Sequence, residues 1–486
     1  MSITISTITP PTTALLERLK DALGPSGWRD PVEHPAYLEE PRGKWSGRAA
    51  LVLRPETTAQ VAEIVRLAAE ARVGLVPYGG GTGLVGGQLS VAGPPPLLLS
   101  LERMNRIRSV SAEDDVMIVE AGCVLQSVQE TAAEAGRLFP LSYAAQGSAR
   151  IGGALAVNSG GVQVLRYGNA RDLCLGIEAV LPDGSVMHGL KGLRKDNTGY
   201  DLRHLLIGSE GTLGIITAAA LKLFPQPAET ATAMATLDSA EGAVRLLRDL
   251  QAAAGDTVTA FELMNAQGLE FTFERIEGLR DPFPEPRPRA PWTVLVELSG
   301  RGVGEALIEA LGAAFEAGLV LDATVAESEA QRQQLWRIRE DMPLANRAIG
   351  AIASHDISIP IRLIPGFIEE ALAALGDLDP SIRTNCFGHL GDGNLHFNQF
   401  PAEGRDRRDY RDKAEAVSAL VHDLTHAAGG SISAEHGIGR LKVAELARFG
   451  DPAKLAAMRA IKGALDPLGI MNPGAIFAVE DGEAAF

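Results

Sequence analysis

The chain has 486 residues, 46% of them apolar, which exceeds what one ordinary core absorbs and points to two or three domains. A formal charge of −16 and a pI near 5.1 exclude nucleic acid or an anionic membrane as the main partner, because both need a basic surface. Three scattered cysteines, Cys123, Cys174 and Cys386, form no CxxC, so a disulfide framework and an iron–sulfur motif are excluded and a reducing cytoplasm fits.

The opening MSITISTITPPTTALLERLK has neither the basic leader nor the apolar stretch of a signal peptide. No uninterrupted apolar run approaches the ~18 residues needed to span a membrane. The expectation is a soluble, cytoplasmic protein with no transmembrane segment. RAALVLRP reads as a strand, and ETTAQVAEIVRLAAEARV as an amphipathic helix with Val61, Ile64, Val65 and Ala68 on one side. GLVPY is strand-like and runs into GGGTGLVGG. PLLLSL and DDVMIVEAG follow as strands, VLQSVQETAAEAG as a helix, and LGIEAVLPDGSV closes on a Pro-Asp-Gly turn. Composition changes after GSEGTLGIITAAALKLFPQP, which places a boundary near residue 226. Beyond it, to about residue 430, strands (TATAMATL, WTVLVELSG) alternate with helices (SAEGAVRLLRDLQAA, GEALIEALGAAFEAG). The proline-rich LRDPFPEPRPRAP, 279–291, reads as an exposed loop. The remainder is a helical tail that stops at DPLGIMNPG. There is no repeat.

GTGLVG, residues 81–86, matches G-x-G-x-x-G after a strand, with an acid, Glu102, about twenty positions on. A nicotinamide fingerprint must open a helix whose dipole faces the pyrophosphate. Here GQLSVAGPPP follows, and three prolines cannot form that helix. What remains is a loop with almost no Cβ atoms, whose backbone N–H groups can approach an anion. A lone glycine loop would be only a sharp turn. A second cluster, GSARIGGALAVNSGG at 147–161, points instead to a large phosphate-bearing cofactor lying along the backbone.

HLGDGNLHFN, residues 389–398, holds His389 and His396 around two glycines, an Asp and an Asn. That centre favours a tight turn, and the flanks alternate like strands. A hairpin would bring both imidazoles together as part of a metal site, which needs at least one more ligand; the alternative is two surface histidines. Upstream, EAQRQQLWRIREDM reads as a helix with Arg339 on the face of Leu335 and Trp336. A guanidinium on that inward face needs an anion, either a substrate carboxylate held bidentately or an internal partner near Glu340.

PYGGGTGLVGG, PLSYAAQGSARIGGALAVNSGG, RYGNARDLCLGIEAVLPDG, LRKDNTGYDLRHLLIGSEGTLGIIT, GHLGDGNLHFN, SAEHGIGRLK and IKGALDPLGIMNPG occur in order. Together they resemble the FAD-dependent 2-hydroxy-acid dehydrogenases of the vanillyl-alcohol-oxidase fold. That group includes D-2-hydroxyglutarate dehydrogenase, D-lactate dehydrogenase and the glycolate oxidase flavoprotein subunit. The resemblance implies an α+β chain with a two-lobed FAD-binding domain of the PCMH type at 1–225 and a substrate-binding cap at 226–430. A C-terminal segment at 431–486 would complete the active and flavin sites. It implies that Pro77, Gly79, Gly80, Gly81, Thr82 and Gly83 approach the pyrophosphate. Gly147, Ser148, Gly152, Gly153, Asn158 and Gly161 would line the cofactor, with Ile215 on the adenine side and Asn472 near the flavin. Covalent members of the fold carry a histidine at the position of Thr82, so FAD here is expected to be non-covalent.

The resemblance further implies that His389, His396 and Glu435 bind a divalent metal, with His436 as the base. Two imidazoles and one carboxylate suit zinc, and also manganese, cobalt or iron. Such a metal would stabilise the alkoxide that forms as a chelated 2-hydroxy acid loses its hydroxyl proton. Both Glu435 and His436 reach one pocket only if the chain turns at Gly437. Asn398, two positions after His396 on a strand, is placed to donate to the substrate carboxylate. His355 and Asp356 are candidates for outer support, or simply a strand end before Pro360. D-2-hydroxyglutarate members carry a threonine at the position of Pro343 and a lysine at that of Ser354. The missing cation weakens the case for a dicarboxylate substrate, with Arg347 as a substitute, and leaves a neutral or apolar tail open.

The expected activity is oxidation of a D-2-hydroxy acid to the 2-oxo acid with hydride passing to flavin N5. Electrons then go to an electron-transfer flavoprotein, a quinone or a cytochrome. Two competing readings are an oxygen-using oxidase and a flavin subunit of a multi-chain glycolate or lactate oxidase complex, whose clusters sit on a partner chain. A homodimer is the commonest closed assembly.

Overall fold

The structure is a computed structural model that describes residues 8–43, 45–285 and 288–478. Residues 1–7 of the amino-terminal stretch, residue 44, residues 286 and 287 of the proline-rich stretch, and 479–486 lie outside the described residues. The chain forms two compact units. The first gathers Met1–Gly161, Gly168–Gln226 and Glu435–Phe486, the second Val162–Tyr167 and Pro227–Ala434.

The first unit has two main sheets. In one, strand Leu75–Tyr78 pairs in parallel with Leu97–Ser100, which pairs in parallel with Leu51–Leu53. The other has five antiparallel strands, Ile107–Ser111, Val116–Glu120, Ile215–Lys222, Cys174–Val180 and Val186–Gly189, in that spatial order. They share a core, since Val180 and Ile215 of the antiparallel sheet are buried in the same cluster as Leu53, Leu75 and Leu97. This is the two-lobed α+β arrangement expected.

The helix read from ETTAQVAEIVRLAAEARV is Thr58–Ala71. Thr57 caps it by accepting from the Gln60 N–H, and Val61, Ile64, Val65 and Ala68 are buried along one stripe. It stops where Arg72 turns left-handed, at φ 54°.

The C-terminal segment is stitched into the first unit by backbone bonds. Leu75 N–H donates to Ile470 O and Asn472 N–H to Leu75 O, each at 2.8 Å. Arg440 is buried and donates to Gly86 O (3.0 Å), Gly87 O (2.9 Å), Asn472 Oδ1 (2.8 Å) and Pro473 O (2.9 Å). Burial lowers its pKa to about 10, which still leaves it charged at neutral pH.

The second unit is built on seven strands in the order Asp322–Val325, Glu229–Leu237, Trp292–Gly300, Val258–Asn265, Arg383–His389, Asn394–Phe400 and Ala353–Ser358, every neighbour antiparallel. Side chains alternate across a strand, so each strand supplies both faces. Phe261, Leu263, Val294, Val296, Cys386 and Phe397 face one way, into a core with helices Ala240–Ala254, Val303–Glu316, Ile364–Leu378 and Ala414–Ala427. Ala260, Met264, Leu295 and Phe387 face the other way, toward Leu335, Trp336 and Met342.

The proline-rich stretch differs from the exposed loop expected. Phe283 is buried in the core that holds Trp336, and buried Arg289 donates to Asp281 Oδ2 at 2.6 Å. A local count of prolines cannot see an aromatic anchor and an ion pair that pin the loop down. Among the described residues no helix is long and apolar enough to cross a membrane.

Arg440→Met would take the guanidinium donor from Gly86 O, Asn472 Oδ1 and Pro473 O, and leave Gly87 O with the Asn472 amide alone. It is expected to destabilise that unit by about 3 kcal/mol or more. Urea unfolding followed by circular dichroism reads this as a lowered midpoint, and an unmoved midpoint would contradict the clamp.

Candidate active site

In the first unit, strand Leu75–Tyr78 carries Pro77 and ends in Gly79, Gly80, Gly81, Thr82 and Gly83. No helix follows; the next regular element is strand Leu97–Ser100, so the nicotinamide reading is rejected as expected. The loop closes on itself through Gln88, whose Nε2 donates to Gly83 O at 2.8 Å. It also packs against the second glycine cluster. A Cβ at Gly80 would lie 2.1 Å from Ser148 O, and one at Gly79 would lie 3.1 Å from Gly153 Cα. At Gly80 only glycine permits that approach, and at Gly79 a Cβ would press on the neighbouring backbone.

Gly147 and Ser148 precede helix Ile151–Val157, which contains Gly152 and Gly153. Asn158 ends it in the left-handed region and accepts from Arg171 N–H at 2.9 Å, and Gly161 follows. Ile215 starts its strand in the core. Two layers of main chain with almost no side chains fit a cofactor whose phosphates need backbone donors. Asn472, expected near the flavin, is 1% exposed, and its Nδ2 donates to Gly87 O (3.0 Å) and Glu210 O (2.8 Å). With Oδ1 taken by Arg440, its amide is committed to holding the glycine loop.

Glu210 is a residue to which the sequence reading assigned no role. It lies in the GSEGTLG segment, buried, at φ 52°. Its carboxylate accepts from Ile438 N–H (2.8 Å) and Gly439 N–H (2.7 Å). Burial pushes its pKa up, while those bonds and Arg440 oppose the shift. The result is the sharp turn expected at Gly437, where φ is +82° and a Cβ would sit 2.8 Å from Glu210 Oε1. Ahead of the turn, His436 Nε2 lies 3.4 Å from Glu435 Oε1, so the two side chains share a side as the sequence reading required. Tyr143 is pushed up to about 12, chiefly by burial, with the Glu435 charge adding to it.

In the second unit, HLGDGNLHFN forms the expected hairpin between strands Arg383–His389 and Asn394–Phe400. The His389 and His396 rings are 5.8 Å apart between centroids at 77°. Phe387, the cross-strand partner of His396, packs on its ring at 4.8 Å. On the other side Asp356 is the partner of His396, and its Oδ1 accepts from Asn394 Nδ2 at 2.9 Å.

Ala434 N–H donates to Asp356 O at 3.3 Å, which ties the end of this unit to the strand beside His396. Glu435 is the next residue, so a single peptide bond tethers it there. His389 and His396 offer two imidazoles and Glu435, one residue beyond Ala434, a carboxylate, a set of the kind a shared cation takes. The donor set, two imidazoles and a carboxylate, fits a divalent transition metal with positions left open.

Behind His389 stands Glu262, a second residue the sequence reading missed. It is the cross-strand partner of His389 and fully buried. Its Oε1 lies 2.6 Å from His389 Nδ1, and its Oε2 accepts from Arg339 Nε at 2.7 Å. Burial pulls its pKa up, but His389 and Arg339 outweigh that and hold it at about 2. The only sequence signal was a lone acid inside the apolar run AFELM.

Arg339 is buried on helix Glu329–Glu340 beside Leu335 and Trp336, with its guanidinium 4.7 Å over the Phe387 ring. The internal partner weighed from sequence exists, but it is Glu262 rather than an acid near Glu340. That bond uses one of five N–H donors. Asn398 faces the same side as His396, and its Oδ1 accepts from His355 N–H at 3.1 Å, which leaves the Nδ2 donors for a ligand.

His355 is not outer support for this face. Strand alternation turns it to the opposite side from Asp356, where Nδ1 bonds Phe397 O at 2.8 Å and the ring meets His422 at 5.1 Å.

Comparison with known proteins identifies the FAD-binding family. Residues 49–189 match the family described as "FAD binding domain", and residues 226–476 match "FAD linked oxidases, C-terminal domain". The chain is 37% identical over 451 residues to the mitochondrial D-2-hydroxyglutarate dehydrogenase of Bos taurus, covering 91% of this chain and 80% of that one. It is 35% identical to the D-2-hydroxyglutarate dehydrogenase of Xanthomonas citri pv. viticola, covering 93% and 94%. A putative mitochondrial D-lactate dehydrogenase of Schizosaccharomyces pombe is 33% identical, covering 91% and 85%. Among solved structures, p-cresol methylhydroxylase superposes with a TM-score of 0.75 at 15% identity, covering 98% of this chain and 99% of that one. A 4-ethylphenol oxidase of Gulosibacter chungangensis gives 0.74 at 19%, covering 97% and 99%; at such identities the likeness is one of fold. The chain belongs to the FAD-dependent D-2-hydroxy-acid dehydrogenase family, on the vanillyl-alcohol-oxidase fold.

Proposed function

We propose that this FAD-dependent enzyme oxidises a D-2-hydroxy acid to the 2-oxo acid with the help of a divalent metal, zinc being the first candidate. The observation that carries the metal is the pairing of the His389 and His396 rings on one hairpin, 5.8 Å apart, with Glu262 bonded to the far nitrogen of His389; Glu435 is the third ligand proposed. When bound, FAD supplies an acceptor for the C2 hydride and the metal supplies positive charge at the substrate's hydroxyl and carboxylate oxygens. His436 takes the hydroxyl proton, with its Nε2 held beside Glu435. The free donors of Arg339 and the Nδ2 of Asn398 orient the substrate carboxylate.

Positions 343 and 354, read as holding the far end of a dicarboxylate substrate, carry no charge here. Ser354 is exposed on its strand, opposite Asn398 in register, and Pro343 sits at the start of helix Met342–Ile349. Arg347, exposed one turn after Pro343 on that helix, is the residue we propose for a second carboxylate. We therefore favour a D-2-hydroxy acid with a neutral or apolar tail, and keep D-2-hydroxyglutarate as a candidate served by Arg347. Electrons leave for an external acceptor, an electron-transfer flavoprotein, a quinone or a cytochrome. A cytoplasmic location fits three buried free thiols, and a homodimer is the assembly we expect.

Stopped-flow flavin bleaching with both enantiomers of 2-hydroxy acids tests the reaction, with the D series reducing faster; equal rates for D and L would reject the stereochemistry. His436→Ala is expected to keep its yellow colour while substrate reduction slows by about 10²–10⁴-fold. Normal reduction by that variant would remove His436 from the role of base. Chelator-treated protein is expected to retain FAD and to reduce about 10²-fold or more slowly, since the cation supplies several kcal/mol to the developing alkoxide. Full activity without metal would end the metal-assisted reading.

A further inference from the structure

Glu262 has a geometry that goes beyond support of one ligand. It lies on the strand Val258–Asn265 with no exposed surface, on the sheet face whose apolar members Ala260, Met264, Leu295 and Phe387 offer no solvation. An ionised carboxylate in such a place costs several kcal/mol to desolvate unless both oxygens are paired. They are paired to two different groups: Oε1 to His389 Nδ1 at 2.6 Å and Oε2 to Arg339 Nε at 2.7 Å. His389 comes from the neighbouring strand and Arg339 from a helix packed on the sheet, so one carboxylate fastens side chains from separate elements.

A ring nitrogen that close to a carboxylate is a donor. His389 Nδ1 therefore carries the hydrogen, and in the neutral ring Nε2 is left with the lone pair a metal needs. Arg339 is fixed at the same time, its guanidinium plane held between Glu262 and the Phe387 ring.

We propose that Glu262 is a positioning residue that couples the two halves of the substrate site. It sets the tautomer and aim of the ligand His389 and, through its other oxygen, the orientation of Arg339. This rests on the metal reading given above.

Glutamine separates the two tasks because it has one acceptor oxygen. If that oxygen serves His389, the amide NH₂ faces the Arg339 Nε–H, donor against donor. If the amide is reversed, its NH₂ meets Nδ1 and drives the ring hydrogen onto Nε2, the ligand atom. Either way Glu262→Gln loses a partner. Adding Arg339→Met removes the competing donor and frees the amide oxygen for His389.

The test is a Co²⁺ titration of chelator-stripped, FAD-loaded protein, read by visible d–d absorption, with flavin content reporting folding. Glu262→Gln is expected to weaken Co²⁺ binding by about 10–100-fold. Glu262→Gln/Arg339→Met is expected to return to within about threefold of the unmodified protein, the signature of a shared partner. If Glu262→Gln does not fold, the double variant carries the test alone, and tenfold weaker binding by it would overturn the proposal. Equal binding by the unmodified protein and Glu262→Gln would overturn the positioning role while leaving the metal reading intact. A double variant as weak as the single one would overturn the coupling to Arg339. No Co²⁺ band in the unmodified protein would overturn the metal reading and this proposal with it.

Discussion

The alternation of side chains across one antiparallel sheet is the constraint on which the site depends. On one face, Phe261, Leu263, Cys386 and Phe397 build a hydrocarbon core. On the other, one residue away along the same strands, stand Glu262, His389, His396 and Asn398. Glu262 tolerates its burial because His389 on the neighbouring strand and Arg339 on a helix pair both of its oxygens, which is what low-dielectric surroundings demand of a charged group. Register therefore does chemical work here: a one-residue slip would exchange the two sets.

The first unit solves a different problem with a similar device. Its glycine layers approach too closely for side chains, and they would be loosely held if nothing gripped the backbone carbonyls. Arg440 and Asn472 grip them, and Glu210 does the same for the N–H groups after Gly437. Three buried polar side chains thus hold main chain in place. The cofactor surface and the segment bearing Glu435 and His436 are organised by the same few residues.

Much of this was legible in the sequence because the signals were local. The Gly-Asp-Gly centre of HLGDGNLHFN specifies a turn, and its alternating flanks specify strands. Prolines after GTGLVG ruled out a helix. The i−3 and i−4 neighbours of Arg339 turned it inward. What escaped depended on pairing between distant segments. Glu262 reads as an oddity in an apolar strand until the register sets it opposite His389. Glu210 looks like any acid in a glycine-rich loop until Ile438 and Gly439 arrive more than two hundred residues later in the chain. His355 was misplaced for a related reason: neighbours in sequence on a strand face opposite ways, so it and Asp356 could not both support one site.

The central claim is a cation held by two imidazoles and a carboxylate. X-ray absorption at the edge of zinc bound to the purified protein tests it most directly. The account predicts a shell of nitrogen and oxygen atoms at about 2.0–2.2 Å, with the outer-shell scattering of two imidazole rings. A spectrum with sulfur neighbours, or with one imidazole or none, would contradict it.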